Sequence, residues 1–101
     1  MNTVALMPSG QLVEGEPQAL TVAGEELMAV RFQGEPHVIG NVCSHQYALL
    51  TDGWYEDGCV ECPLHQAVFD VKTGAPSCGP TTVPVKVYRA RDEAGQVWIE
   101  I

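Results

Sequence analysis

Apolar residues in this chain come in short runs, and glycines and prolines break them about every eight to twelve residues, the rhythm of an all-β domain. Residues 3–6 read as an edge strand, stopped by Pro8-Ser9-Gly10. Residues 18–22 and 27–32 flank Ala23-Gly24-Glu25 and predict a hairpin. Gln33-Gly34-Glu35-Pro36 then turns the chain into a strand over residues 37–41. Residues 42–79 have few long apolar runs and hold all four cysteines; short strands are expected at 60–61 and 68–69. Residues 82–89 and 96–101 predict a last hairpin across Asp92-Glu93-Ala94-Gly95. Val83, Val85 and Val87 alternate with Pro84, Lys86 and Tyr88, which predicts one apolar face, and Pro84 argues for an edge position. Trp98 is expected in the core, and Trp54 and Tyr55 as packing inside the cysteine-bearing part. No helix of ordinary length, repeat or linker is demanded.

At 101 residues the chain has the length of one domain, 1–101. So short a chain buries a modest core, and a metal centre commonly supplements one. Five basic against thirteen acidic residues give a net charge of −8. That disfavours a nucleic-acid or anionic-membrane surface and suits solubility. Asp52, Glu56, Asp57 and Glu61 are concentrated in the cysteine-bearing part, where a docking surface would feel them. Residues 1–10 have neither a basic start nor an apolar run of signal length, and no stretch approaches a membrane span, so a cytoplasmic location is expected.

The chemistry is concentrated between Cys43 and His65. Cys43-Ser44-His45 is followed after sixteen residues by Cys62-Pro63-Leu64-His65. Two thiolates and two imidazoles suit either a tetrahedral zinc or a [2Fe–2S] cluster in which two histidines replace two cysteines on one iron. The Cys-x-His pair is poorly spaced for a zinc finger, whose pairs are usually Cys-x₂₋₄-Cys and His-x₃₋₅-His. In the cluster, two ferric ions, two sulfides and two thiolates sum to zero charge. Four thiolates would add two negative charges, so the two-histidine centre is easier to reduce.

This motif resembles that of the Rieske iron–sulfur proteins. The likeness is greatest to the small ferredoxins of bacterial aromatic-ring-hydroxylating oxygenase systems, in the run Val60-Glu61-Cys62-Pro63-Leu64-His65-Gln66 with Phe69-Asp70 and Thr73-Gly74. The resemblance implies an antiparallel β-sandwich base with a small inserted cluster-binding subdomain at about 42–79. It implies Cys43 and Cys62 as thiolate ligands of one iron and His45 and His65 as imidazole ligands of the other, bound through Nδ1. It further implies a one-electron carrier without catalysis of its own, placed between a flavin-containing NAD(P)H-dependent ferredoxin reductase and a terminal Rieske oxygenase. Two other readings stand beside it. One is a small subunit of another oxidoreductase, of the nitrite reductase type; the other is a zinc-binding interaction module on the same four residues.

Ser44, Gln46, Tyr47 and Gln66 flank the ligands, and Tyr47 and Leu64 are candidates for an apolar docking tip. Cys59-Val60-Glu61-Cys62 spells Cys-x-x-Cys, but on a strand residues three apart face opposite ways, so Cys59 is expected as a packed thiol. Cys78 is expected unliganded, beside Gly79-Pro80, which matches a family loop that covers the cluster. His37 has no register with the motif and is expected at a strand end. Respiratory-chain relatives have extra cysteines where this chain has Ala48 and Leu64, and hydroxyl residues where it has Ala67 and Phe69. Those losses imply a potential toward the low end of the Rieske range of about −150 to +300 mV.

Overall fold

The protein is described by a computed structural model covering residues 2–43, 48–64, 67–78 and 83–101. Its elements are β1 (Thr3–Pro8), a 3₁₀ turn (Ser9–Gln11), β2 (Gln18–Val22), β3 (Glu25–Phe32), β4 (Glu35–Gly40) and a 3₁₀ turn (Leu50–Asp52). They continue with β5 (Trp54–Glu56), β6 (Cys59–Glu61), β7 (Val68–Asp70), β8 (Pro76–Cys78), β9 (Val87–Tyr88), β10 (Ala90–Glu93) and β11 (Gln96–Glu100). The strands form three antiparallel sheets in the orders β1-β11-β10, β2-β3-β4-β9 and β5-β6-β7-β8. Among the described residues no helix is long and apolar enough to cross a membrane.

In the sheet β2-β3-β4-β9 the central strands β3 and β4 are buried on both faces. Leu27 and Ala29 of β3, with Val38 of β4, enter one core together with Leu12, Val97 and Ile99. Met28 and Val30, with Ile39, enter a second core that contains Cys43, Cys62, Phe69 and Val71. That double burial is why the chain reads as an unbroken apolar run from Leu27 to Val30 rather than an alternation.

Four hairpins close through two-residue turns with both φ angles positive: Ala23-Gly24, Gln33-Gly34, Asp57-Gly58 and Ala94-Gly95. This is the type I′ geometry, whose twist matches that of the strands it joins. Gly58 has a second constraint, since a Cβ there would meet the Phe32 ring at 2.7 Å. The β5-β6 turn is thereby pressed onto the end of β3.

The expected strands at the N-terminal half are present, with the first extended to Pro8 and the last beginning at Glu35. The C-terminal hairpin differs. β11 pairs with β10, Ala90–Glu93, across Ala94-Gly95, and of the strand expected over 82–89 the described residues 83–89 form only the two residues of β9. Val83 and Val87 are exposed while Val85 and Tyr88 are buried, so the expected apolar face does not form. The segment is pinned at separate points, Val85 N–H to the Gly74 carbonyl and Gly40 N–H to the Lys86 carbonyl. Without a continuous ladder nothing imposes a period of two, and Pro84 contributes no N–H to one. Trp98 also differs: Val97 and Ile99 take the core face of β11, and the Trp98 Nε1–H instead donates to the Glu93 carbonyl at 2.9 Å.

Candidate metal centre

Two loops carry the motif. One follows β4 and the other joins β6 to β7. Each is closed at its base by the same bond: Cys43 N–H donates to the Ala48 carbonyl at 2.9 Å, and Cys62 N–H to the Ala67 carbonyl at 2.7 Å. Both bonds span five positions. Cys43 (4% exposed) and Cys62 (0%) lie in one apolar core with Ala48, Leu50, Val60, Ala67 and Phe69. His45 and His65 lie outside the described residues, as do Ser44, Gln46, Tyr47, Gln66, Gly79 and Pro80.

The donor set fits an iron–sulfur group. An isolated buried thiolate among aliphatic side chains is costly. Ferric iron cancels that charge, and two-histidine ligation adds none. Among the described residues no group of three or more His, Cys, Asp or Glu side chains forms a metal cage. Cys59 therefore joins Cys62 in no such group there. Cys59 sits half-buried on β6, opposite Glu56 and Asp70, in no disulfide. Burial pushes its thiol above the usual range, and the charges of Asp70 and Asp57 add to that. Cys78 closes β8, its backbone facing Val68.

His37 lies within β4 opposite Val30 rather than at a strand end. Its ring centroid is 6.3 Å from that of Phe32. Burial lowers its pKa and Lys72 acts in the same direction, against Glu35. Trp54 is the larger departure from expectation. It is 70% exposed on the edge strand β5, while Tyr55 turns inward and its hydroxyl accepts the Gly58 N–H at 3.1 Å. Leu64, in the second loop, is 57% exposed. Asp52, Glu56 and Asp57 are exposed nearby in the chain, and Glu61 pairs with Trp54 across the ladder. The aromatic content of β5 was visible beforehand; which of its two aromatic residues faces water was not. Gly53 also went unnoticed: a Cβ there would collide with the Glu61 carbonyl, so only glycine lets β5 approach β6 this closely.

A three-sheet β fold with two buried cysteines at the bases of two matched loops suits a β protein that holds an iron–sulfur group. A family model described as a Rieske [2Fe-2S] domain matches residues 2–89, and the chain belongs to that family. It is 48% identical over 92 residues to the anthranilate 1,2-dioxygenase ferredoxin subunit of Burkholderia cepacia, covering 90% of this chain and 84% of that one. The solved ferredoxin of carbazole 1,9a-dioxygenase from Nocardioides aromaticivorans IC177 superposes with a TM-score of 0.92 at 36% identity, over 98% of this chain and 97% of that one. A chain of a complex of reduced oxygenase and oxidized ferredoxin in carbazole 1,9a-dioxygenase superposes with a TM-score of 0.89 at 26% identity, over 96% of this chain and 91% of that one. The chain is thus a ferredoxin with one Rieske-type [2Fe–2S] cluster, an electron carrier rather than a catalytic subunit.

Proposed function

We propose that the chain carries single electrons from a flavin-containing NAD(P)H-dependent reductase to a terminal aromatic-ring-hydroxylating Rieske oxygenase, with Cys43, His45, Cys62 and His65 as the cluster ligands. The single observation that carries the ligand reading is the matched closure of two six-residue spans, Cys43 to Ala48 and Cys62 to Ala67, with both cysteines in one core. The partner reading draws on the relatives, which are ferredoxin components of dioxygenase systems.

In this reading Cys43 and Cys62 bind one iron by thiolate from inside the apolar core. His45 and His65 take the imidazole role by their places in the motif. When bound, the [2Fe–2S] centre supplies reversible one-electron storage at a higher potential than a four-thiolate cluster. Leu64 and Trp54 offer apolar contact to a partner, and Asp52, Glu56 and Asp57 offer negative charge around it. Residues 1–101 act as one Rieske domain, with 42–79 as the cluster-binding part; the sheet β5-β6-β7-β8 falls within that span. The thiolate ligands suit the reducing cytoplasm.

Electron paramagnetic resonance of the dithionite-reduced protein tests the ligand set. The expected spectrum is a rhombic spin-half signal with the low average g of mixed histidine and cysteine ligation. Cys43→Ser, Cys62→Ser, His45→Ala and His65→Ala should each abolish it. Zinc in place of iron would overturn the reading. In a reconstituted reductase–ferredoxin–oxygenase system, product formation should stop when this protein is omitted; undiminished turnover would remove it from the electron path.

A further inference from the structure

The two loops of the centre are anchored by different means. The second loop leaves β6 and returns on β7, whose ladder pairs Cys59, Val60 and Glu61 with Asp70, Phe69 and Val68. The first is framed, among the described residues, by one isolated bridge between Val42 and Leu49. Asn41 supplies the rest of its stem.

Asn41 is the one polar side chain among the described residues that is fully buried, at 0% exposure. Its backbone N–H donates to the Glu26 carbonyl on β3 at 2.9 Å, and its carbonyl accepts the Leu50 N–H at 2.7 Å. Its side chain then spans the loop base. Thr51 N–H donates to Oδ1 at 2.9 Å, and Nδ2 donates to Thr51 Oγ1 at 3.0 Å. The amide orientation follows from chemistry, because a backbone N–H only donates and so must face the oxygen. One residue therefore ties the strand before Cys43 to the turn after Ala48, and ties both to the central sheet. Burying an amide is costly unless its bonds are made. An apolar residue of similar size would avoid that cost and keep the backbone bonds, but would lose both bonds to Thr51.

We propose that Asn41 is a positioning residue for the cluster: its side-chain amide locks the stem of the first loop and so holds Cys43 in ligating register. The proposal rests on the ligand reading given above. It predicts that the cluster leaves through the first loop when this lock is removed, with the two cores still folded.

The test is iron release to a ferrous chelator from the oxidised holoprotein after reductant addition, at 25 °C, with electron paramagnetic resonance and midpoint potential on the same samples. Asn41→Ala should release iron about tenfold faster, equivalent to about 1.4 kcal/mol of barrier, and should shift the g values. Thr51→Ala keeps the N–H and loses one bond, so about threefold is expected. Thr51→Ser restores the hydroxyl and should behave as wild type. Val97→Ala opens a void in the other core; it should lower the melting temperature without changing release rate or g values. If Asn41→Ala does not fold, the Thr51→Ala and Thr51→Ser pair decides the matter. Wild-type release and spectra in Asn41→Ala and Thr51→Ala would overturn the proposal. So would acceleration by Val97→Ala equal to that by Asn41→Ala, because release would then track global stability. A full cluster retained in Cys43→Ser would instead sink the ligand reading.

Discussion

Ala67 and Phe69 are both shut away from solvent in the core that contains Cys43 and Cys62. Neither side chain has a hydrogen-bond donor. A hydroxyl near a cluster sulfur stabilises the reduced, more negative state and raises the potential. Ala67→Ser should therefore raise the midpoint by about 60 mV, the one-electron equivalent of about 1.4 kcal/mol. Protein-film voltammetry or dye-mediated titration would read the shift, and an unchanged midpoint would show that position 67 does not control it. At this scale the spacing singled out two cysteines, and the structure buries both in one core. The facing of Trp54 and Trp98 was not legible, because an aromatic residue on a strand faces whichever side the register assigns, and a one-residue slip reverses it.

Arg31 joins two sheets. From β3 its guanidinium grips Asp92 of β10 through two bonds, Nη1 to Oδ2 at 2.8 Å and Nη2 to Oδ1 at 3.0 Å. It also donates to the carbonyls of Ser9, Leu12 and Gly34. Hydrogen bonding from Arg31, with a further bond from Ser9, holds the Asp92 carboxyl below the usual carboxylate range. A depressed folded pKa means that the unfolded chain takes up protons first as pH falls. The stabilisation is thus complete above the ordinary carboxylate pKa of about 4 and disappears as pH drops through the folded value. Arg31→Ala should cost about 2 kcal/mol at pH 7, the scale of bonds to a charged group. The gap in melting temperature between wild type and Asp92→Asn should be constant from pH 7 to about 5 and shrink below about 4; a gap that widened with acid would refute the assignment. Most elements of the base were legible because β2, β3 and β4 have apolar residues bounded by Gly-containing turns. The final pairing was not. The alternating valines before Ala94-Gly95 suggested one long strand, but of these only Val87 is in a ladder, and that ladder pairs with β4 rather than β11.

The whole molecule has a net charge of −8, and the part that bears the cysteines exposes Trp54, Leu64, Asp52, Glu56 and Asp57. Long-range attraction to a cationic partner face is screened over a Debye length of about 8–10 Å at physiological salt. The rate of electron transfer to the oxygenase should fall as ionic strength rises. Asp52→Asn with Glu56→Gln and Asp57→Asn should flatten that dependence, chiefly through association. Trp54→Ala should instead weaken affinity about tenfold with the salt slope kept, as for a buried aromatic anchor. Stopped-flow rates at several salt concentrations separate the two; a flat profile in the wild type would exclude charge steering.

The chain's own residues determined the all-β class and the four candidate ligands, because these follow from short-range apolar patterning and from donor types at fixed spacing; the nature of the cofactor came with the family resemblance that the motif carries. The tertiary structure decided what depends on residues distant along the chain. It set the burial of both faces of β3 and β4, the outward turn of Trp54 and the hydrogen bonds between Asn41 and Thr51. Each of these is fixed by which backbones pair and in what register, and that balance is struck only when all three sheets are assembled.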